Sequence, residues 1–186
     1  MKLTVFQFEG TPQELDASEA LRALTGHGAA HVLAFSAPGA SSANATLGNV
    51  PGVPEEGQET VRRLLGRGPA PELFVAFLRE VVEWPKVGVH GIKRKKAIVG
   101  EPLDYNQYLR LRKQGSLLGG FAYIYAERSS INLRLSHTEQ ELQAMGVGSA
   151  RVLTTGPHEY RVSVDLTDQA SLDDALRLAR IAYDAT

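Results

Sequence analysis

The spacing of apolar residues along this chain changes period several times, and each change marks an element. Residues 3–8 (LTVFQF) alternate as a strand does. Thr11-Pro12-Gln13-Glu14 then opens a helix, with Thr11 as cap, Pro12 where a missing N–H is not needed, and Glu14 in a capping-box place. Ala17, Ala20, Leu21 and Leu24 repeat at the spacing of one buried helical face, Gly26 and Gly28 stop it, and residues 31–37 (HVLAFSA) read as a buried strand. Residues 58–66 and 71–83 read as two further helices, the second carrying Phe74, Phe77, Leu78 and Val81 as an apolar stripe. Gly66-Arg67-Gly68-Pro69 between them invites comparison with a DNA-binding helix-turn-helix. A recognition helix shows polar side chains to base edges, whereas this one reads LFVAFL, which predicts a core helix.

Beyond Trp84-Pro85 the pattern shortens to period two. Residues 86–99 are basic with apolar flanks, a hairpin or an ordered loop, and three strands follow at 108–113, 120–127 and 130–136. Gly115, Gly119-Gly120 and the Arg128-Ser129 turn punctuate them as an antiparallel meander. Ser136 and Glu139 fit a capping box for a short helix ending at Gly146, and strands near 150–154 and 159–166 come next. The last helix is capped by Ser171, carries Asp173 and Asp174 in its first turn, and buries Leu172, Ala175, Leu176, Ala179 and Ala182. The whole predicts an α+β protein: an N-terminal β-α-β-α-α unit over 1–84, packed on a C-terminal antiparallel sheet with two helices over 104–186, joined by a basic connector over 85–103. The Ser/Ala/Gly/Pro-rich run 38–57 predicts a mobile loop, since long structureless segments are rare inside compact domains.

Composition narrows the classes. With 186 residues the chain is long enough for one domain or two small ones. It has no cysteine, which removes a disulfide framework, a thiolate metal site and a cysteine nucleophile. MKLTVFQFEG reads as a strand rather than a signal peptide, and no window approaches a membrane span, so a cytoplasmic protein is expected. The net charge of −1 conceals its distribution. Residues 1–85 carry 6 basic and 10 acidic side chains, residues 86–136 carry 10 and 3, and residues 137–186 carry 4 and 8. So basic a middle is either a solvated face or an anion-binding surface.

The run GFAYIYAERSSINLRLS (120–136), the strand YRVSVDL (160–166) and the closing SLDDALRLARIAYDA (171–185) resemble the domain-of-unknown-function family 5655 over residues 104–185. The shared features are an aromatic strand beside an apolar NLxL strand, a valine-rich strand, and a terminal helix ending in Ala182-Tyr183. The resemblance implies a domain that accompanies nuclease or restriction-related modules or stands alone, and it assigns no residue a role.

Strand alternation yields the candidate site. If Leu109 and Leu111, Ala122 and Ile124, and Ile131, Leu133 and Leu135 face the core, period two turns the other face outward. That face then shows Tyr108, Arg110 and Arg112, next Phe121, Tyr123 and Tyr125, and finally Asn132 and Arg134. Aromatic rings that stack on bases and guanidinium groups that hold phosphates are the chemistry single-stranded nucleic acid needs. Lys93, Arg94, Lys95 and Lys96 would add attraction to any phosphate backbone. The competing reading buries the three aromatics of 120–127 as core, which dissolves the platform.

Enzyme signatures are weak. The chain has no Walker loop, no GxGxxG and no GxSxG, and the glycines of 115–120 precede no helix that would cradle a phosphate. His27 and His31 have metal-pair spacing but flank a glycine at a helix end with no acidic ligand near, so neither a metal nor a cofactor is expected. A nuclease would draw on Glu101, Asp104 and Glu127, and His90 in the basic run has general-base chemistry. The readings are therefore three: a non-enzymatic nucleic-acid-binding or accessory module, a protein-interaction or homo-oligomeric subunit using the aromatic face or helix 71–84, and a hydrolase.

Overall fold

A computed structural model describes residues 47–93 and 98–186. The two strands and the helix expected before residue 38, His27 and His31, and Arg94, Lys95 and Lys96 lie outside the described residues. The described chain is α+β. In order it runs α1 (Glu55–Leu65), α2 (Pro71–Val82), β1 (Val87–His90), β2 (Leu109–Lys113), β3 (Gly120–Tyr125), β4 (Ser130–Leu133), α3 (Glu139–Ala144), β5 (Ala150–Val152), β6 (Val162–Asp165) and α4 (Gln169–Asp184). Single 3₁₀ turns follow β3 and precede β6.

The six strands form one sheet in the order β1-β2-β3-β4-β6-β5, every pair antiparallel. The meander expected of 108–136 is its centre. Within the basic run 86–99, β1 pairs with β2 and Ile92 bridges Asp104, while residues 94–97 lie outside the described residues. Val89, Leu109, Leu111, Ala122, Ile124, Ile131, Leu133, Val162 and Val164 face one way and join a single buried cluster with residues from all four helices. The stripe Phe74, Phe77, Leu78 and Val81 is fully buried there, while Leu73, Val75, Ala76 and Val82 on the same helix are partly buried. Helices α1 and α2 share this core with the sheet, and the described residues on both sides of position 84 belong to one compact unit.

Local chemistry explains the other shifts from expectation. Of the run 38–57 expected to be mobile, residues 38–46 lie outside the described residues, and the remainder is anchored from residue 50 onward. Val50 and Val53 are buried, the Gln58 amide donates to both of their carbonyls and accepts from Val50 N–H, and helix α1 already begins at Glu55. The capping box of α3 belongs to Thr138 and Glu141, two residues later than Ser136 and Glu139, because the strand ends at Leu133. For α4 the cap is Asp168, and Ser171 is its reciprocal partner three residues in, which moves Asp173 and Asp174 beyond the first turn. No helix among the described residues is long and apolar enough to cross a membrane.

One irregularity matters for the site. The β2–β3 register pairs Leu111 with Ala122 but Arg112 with Gly120, leaving Phe121 as an extra, bulged residue. A bulge re-aims its side chain. Phe121 therefore turns to the helical face, fully buried, stacked on Trp84 at 6.3 Å and edge-on to Tyr183 at 5.7 Å. The expectation that it stands on the open face with Tyr123 and Tyr125 is corrected by that bulge.

Candidate nucleic-acid interface

With the helices on one side, the other side of the sheet carries the polar half of each strand. Register fixes who stands beside whom. One row runs across the sheet as His90, Arg110, Tyr123, Asn132 and Ser163, and the next pairs Gly88, Arg112 and Gly120. Tyr125 lies opposite Ser130, which in turn lies opposite Asp165. Tyr108, Arg110, Arg112, Tyr123, Tyr125 and Arg134 are all half-buried, each with part of its side chain in solvent.

The tyrosines form a connected cluster. Tyr108 stands 4.8 Å from Tyr123 and 5.7 Å from Tyr125, ring centre to ring centre, with the planes tilted by 53° and 56°. Tyr160, which period and composition did not single out, completes it at 4.2 Å from Tyr123. It arrives on the 3₁₀ turn before β6, a turn the sequence reads as strand, and donates its hydroxyl to the carbonyl of Gly120. The run His158-Glu159-Tyr160 directly after Gly156-Pro157 is the signal of that turn. Tyr160 stands outside the main core cluster although it is buried. Burial, together with Tyr160 beside it, pushes the Tyr123 hydroxyl up to about 12; burial and Tyr108 push Tyr125 up as well.

Cations border the rings on both flanks. The stem of Arg110 lies over Gly120 so closely that a Cβ there would meet its Cγ at 2.6 Å, and its Nε is buried without a hydrogen-bond partner. Arg134 is committed in part: its Nε donates to the Tyr160 hydroxyl at 3.2 Å, and its guanidinium lies 3.9 Å from Glu159. Arg128 stands 5.8 Å over the Tyr125 ring. Lys93 is exposed near the end of β1. Lys113, by contrast, faces the helices, donating to the Tyr183 carbonyl and lying 4.3 Å over its ring.

The carboxylates considered for hydrolysis are used locally. Glu101 accepts from Ile98 N–H, Asp104 accepts from Asn106, and Glu127 pairs with Arg128 at 3.6 Å. Among the described residues no group of three His, Asp or Glu side chains gathers as a metal site. Comparison of the chain with protein-family models, curated proteins and solved structures finds no match.

Proposed function

We propose that this protein is a non-enzymatic nucleic-acid-binding module whose open sheet face takes single-stranded DNA or RNA. The observation that carries the reading is the grouping, on the sheet face opposite the helices, of Arg110, Arg112, Tyr123 and Tyr125 from strands β2 and β3 with Tyr108 and Arg134 just outside the strand ends. Rings on such a face offer stacking surface that every base can use, and guanidinium groups beside them meet the phosphates between bases. Strands hold Arg110, Arg112, Tyr123 and Tyr125 at fixed spacing, which limits the ordering that accompanies binding. A duplex hides its base faces and offers this surface only phosphates.

The test is fluorescence anisotropy of one labelled oligonucleotide, single-stranded and as a duplex, against wild type and the Tyr108→Ala/Tyr125→Ala variant. Loss of a stacking ring costs about 1–3 kcal/mol per base. Single strands should therefore bind more tightly than duplex, and the variant should lose at least about tenfold on single strands only. Equal affinity for both forms, or a folded variant that binds like wild type, refutes the reading.

A further inference from the structure

At the β1 end of the open face the sheet opens into a cleft of about 420 Å³, lined by Lys86, Gly88, His90, Arg112 and Gln114 among others. We propose that this cleft binds a phosphate monoester, free or at the end of a nucleic-acid strand. The identity of the larger ligand rests on the reading of the open face given above; the chemistry of the cleft does not.

Four observations converge on it. The first is charge. Lys86 and Arg112 are basic side chains, His90 adds a third nitrogen donor, and among the described residues no carboxylate lines the cleft. Among the described residues neither Lys86 nor Arg112 enters an ion pair, in contrast to Arg134 and Arg151, which face Glu159 and Asp165. Two uncompensated cations match the double charge of a monoester, whose three free oxygens are strong acceptors. An internal phosphodiester carries one charge and two free oxygens, and so fits less well.

The second is shape. Gly88 stands directly across from Arg112 in the β1–β2 ladder, and a glycine within a strand marks a place of close approach. A Cβ at Gly88 would come within 2.9 Å of the His90 ring nitrogen Nε2. The missing side chain therefore lets His90 lean over the strand and leaves the space beside Arg112 empty. The volume lies within the range of small-molecule sites.

The third is backbone. Lys86 has φ of 61°, one of two non-glycine residues in the left-handed region among those described. Its carbonyl accepts from Gln114 N–H at 2.8 Å, which ties the cleft's two walls together. Side chains rarely adopt this conformation, and such residues concentrate at ligand sites where the aim of the side chain matters. The fourth is electrostatic consistency. Burial and the neighbouring Arg112 and Arg110 lower the His90 pKa, as expected where cations crowd one another with no anion among them.

The experiment pairs two versions of one labelled single strand, with and without a terminal phosphate, and adds adenosine monophosphate and inorganic phosphate as separate probes followed by calorimetry. Wild type should prefer the phosphorylated strand by roughly tenfold, the worth of one charge-assisted contact set. Lys86→Gln and Gly88→Val should each erase most of that preference while keeping the affinity for the unphosphorylated strand, and Arg112→Gln should erase it while weakening both strands, with the far-UV spectrum unchanged. Adenosine monophosphate should bind wild type and not Arg112→Gln. If neither strand binds but adenosine monophosphate does, and Arg112→Gln abolishes it, the cleft stands and the open-face reading falls. If both strands bind wild type equally and adenosine monophosphate does not bind, the cleft proposal is overturned and the open-face reading stands. A preference that survives all three substitutions also overturns it.

Discussion

Phe121 decides whether the faces of the sheet are correctly assigned, and Phe121→Ala measures it. The ring is fully buried, packed on Trp84 and Tyr183 through the β3 bulge. Its transfer from water is worth about 1.5–3 kcal/mol. The two ring contacts add about 0.5–1.5 kcal/mol each, and the cavity left behind brings the loss to about 3–5 kcal/mol, as for other buried Phe→Ala changes. Trp84 is the only tryptophan in the chain and one of the two rings against Phe121, so its emission reports the site and the unfolding transition together. In urea, with a slope of about 2 kcal/mol per molar, the midpoint should fall by roughly 1.5–2.5 M. A ring standing on the open face beside Tyr123 would cost far less, and Trp84 would not notice its removal. A midpoint shift under about 0.5 M with unchanged Trp84 emission would refute the assignment.

Three further outcomes follow from named contacts. Asp168→Ala removes the α4 cap, in which Asp168 accepts from Ser171 N–H at 2.8 Å, and should cost about 0.5–2 kcal/mol by the same urea titration. Tyr123 has its folded pKa raised to about 12 from 10.0, so its contribution to stability is whole below pH 10 and is lost as pH rises through the window to 12; Tyr123→Phe should flatten that loss in thermal melts across it. Lys86→Gly relieves the left-handed backbone strain and should raise stability by about 1 kcal/mol. The same change should weaken binding of adenosine monophosphate, and a variant that is neither stabilised nor weakened would show Lys86 to be a bystander.

The α+β class and the two faces of the central strands were legible because they depend on local period. Ala122, Ile124, Leu109 and Leu111 alternate with Tyr123, Tyr125, Tyr108 and Arg110, and burying the aliphatic set leaves the tyrosines outside. Phe121 escaped that logic because a bulge adds one residue and inverts the side-chain parity on its far side, which no alternation pattern records. Pairings between distant segments were invisible for the same reason: β1 joins β2 across the Ile92–Asp104 bridge, and β6 inserts between β4 and β5. Those long-range pairings bring Gly88 beside Arg112 and, through the turn before β6, set Tyr160 against Tyr123. The cleft therefore surfaces only in three dimensions, although the glycine in Val87-Gly88-Val89-His90 already breaks a strand in the way a close approach requires.

The central claim is that the open face holds phosphates through its arginines, and the salt dependence of single-strand binding tests it most directly. Each phosphate contact on a single strand contributes about 0.7 to the slope of log affinity against log salt. Arg110→Gln/Arg112→Gln should therefore reduce the magnitude of that slope by about 1.4 relative to wild type, along with a loss of affinity at low salt. Binding by wild type that is indifferent to salt, or a folded double variant whose slope equals that of wild type, would contradict the account.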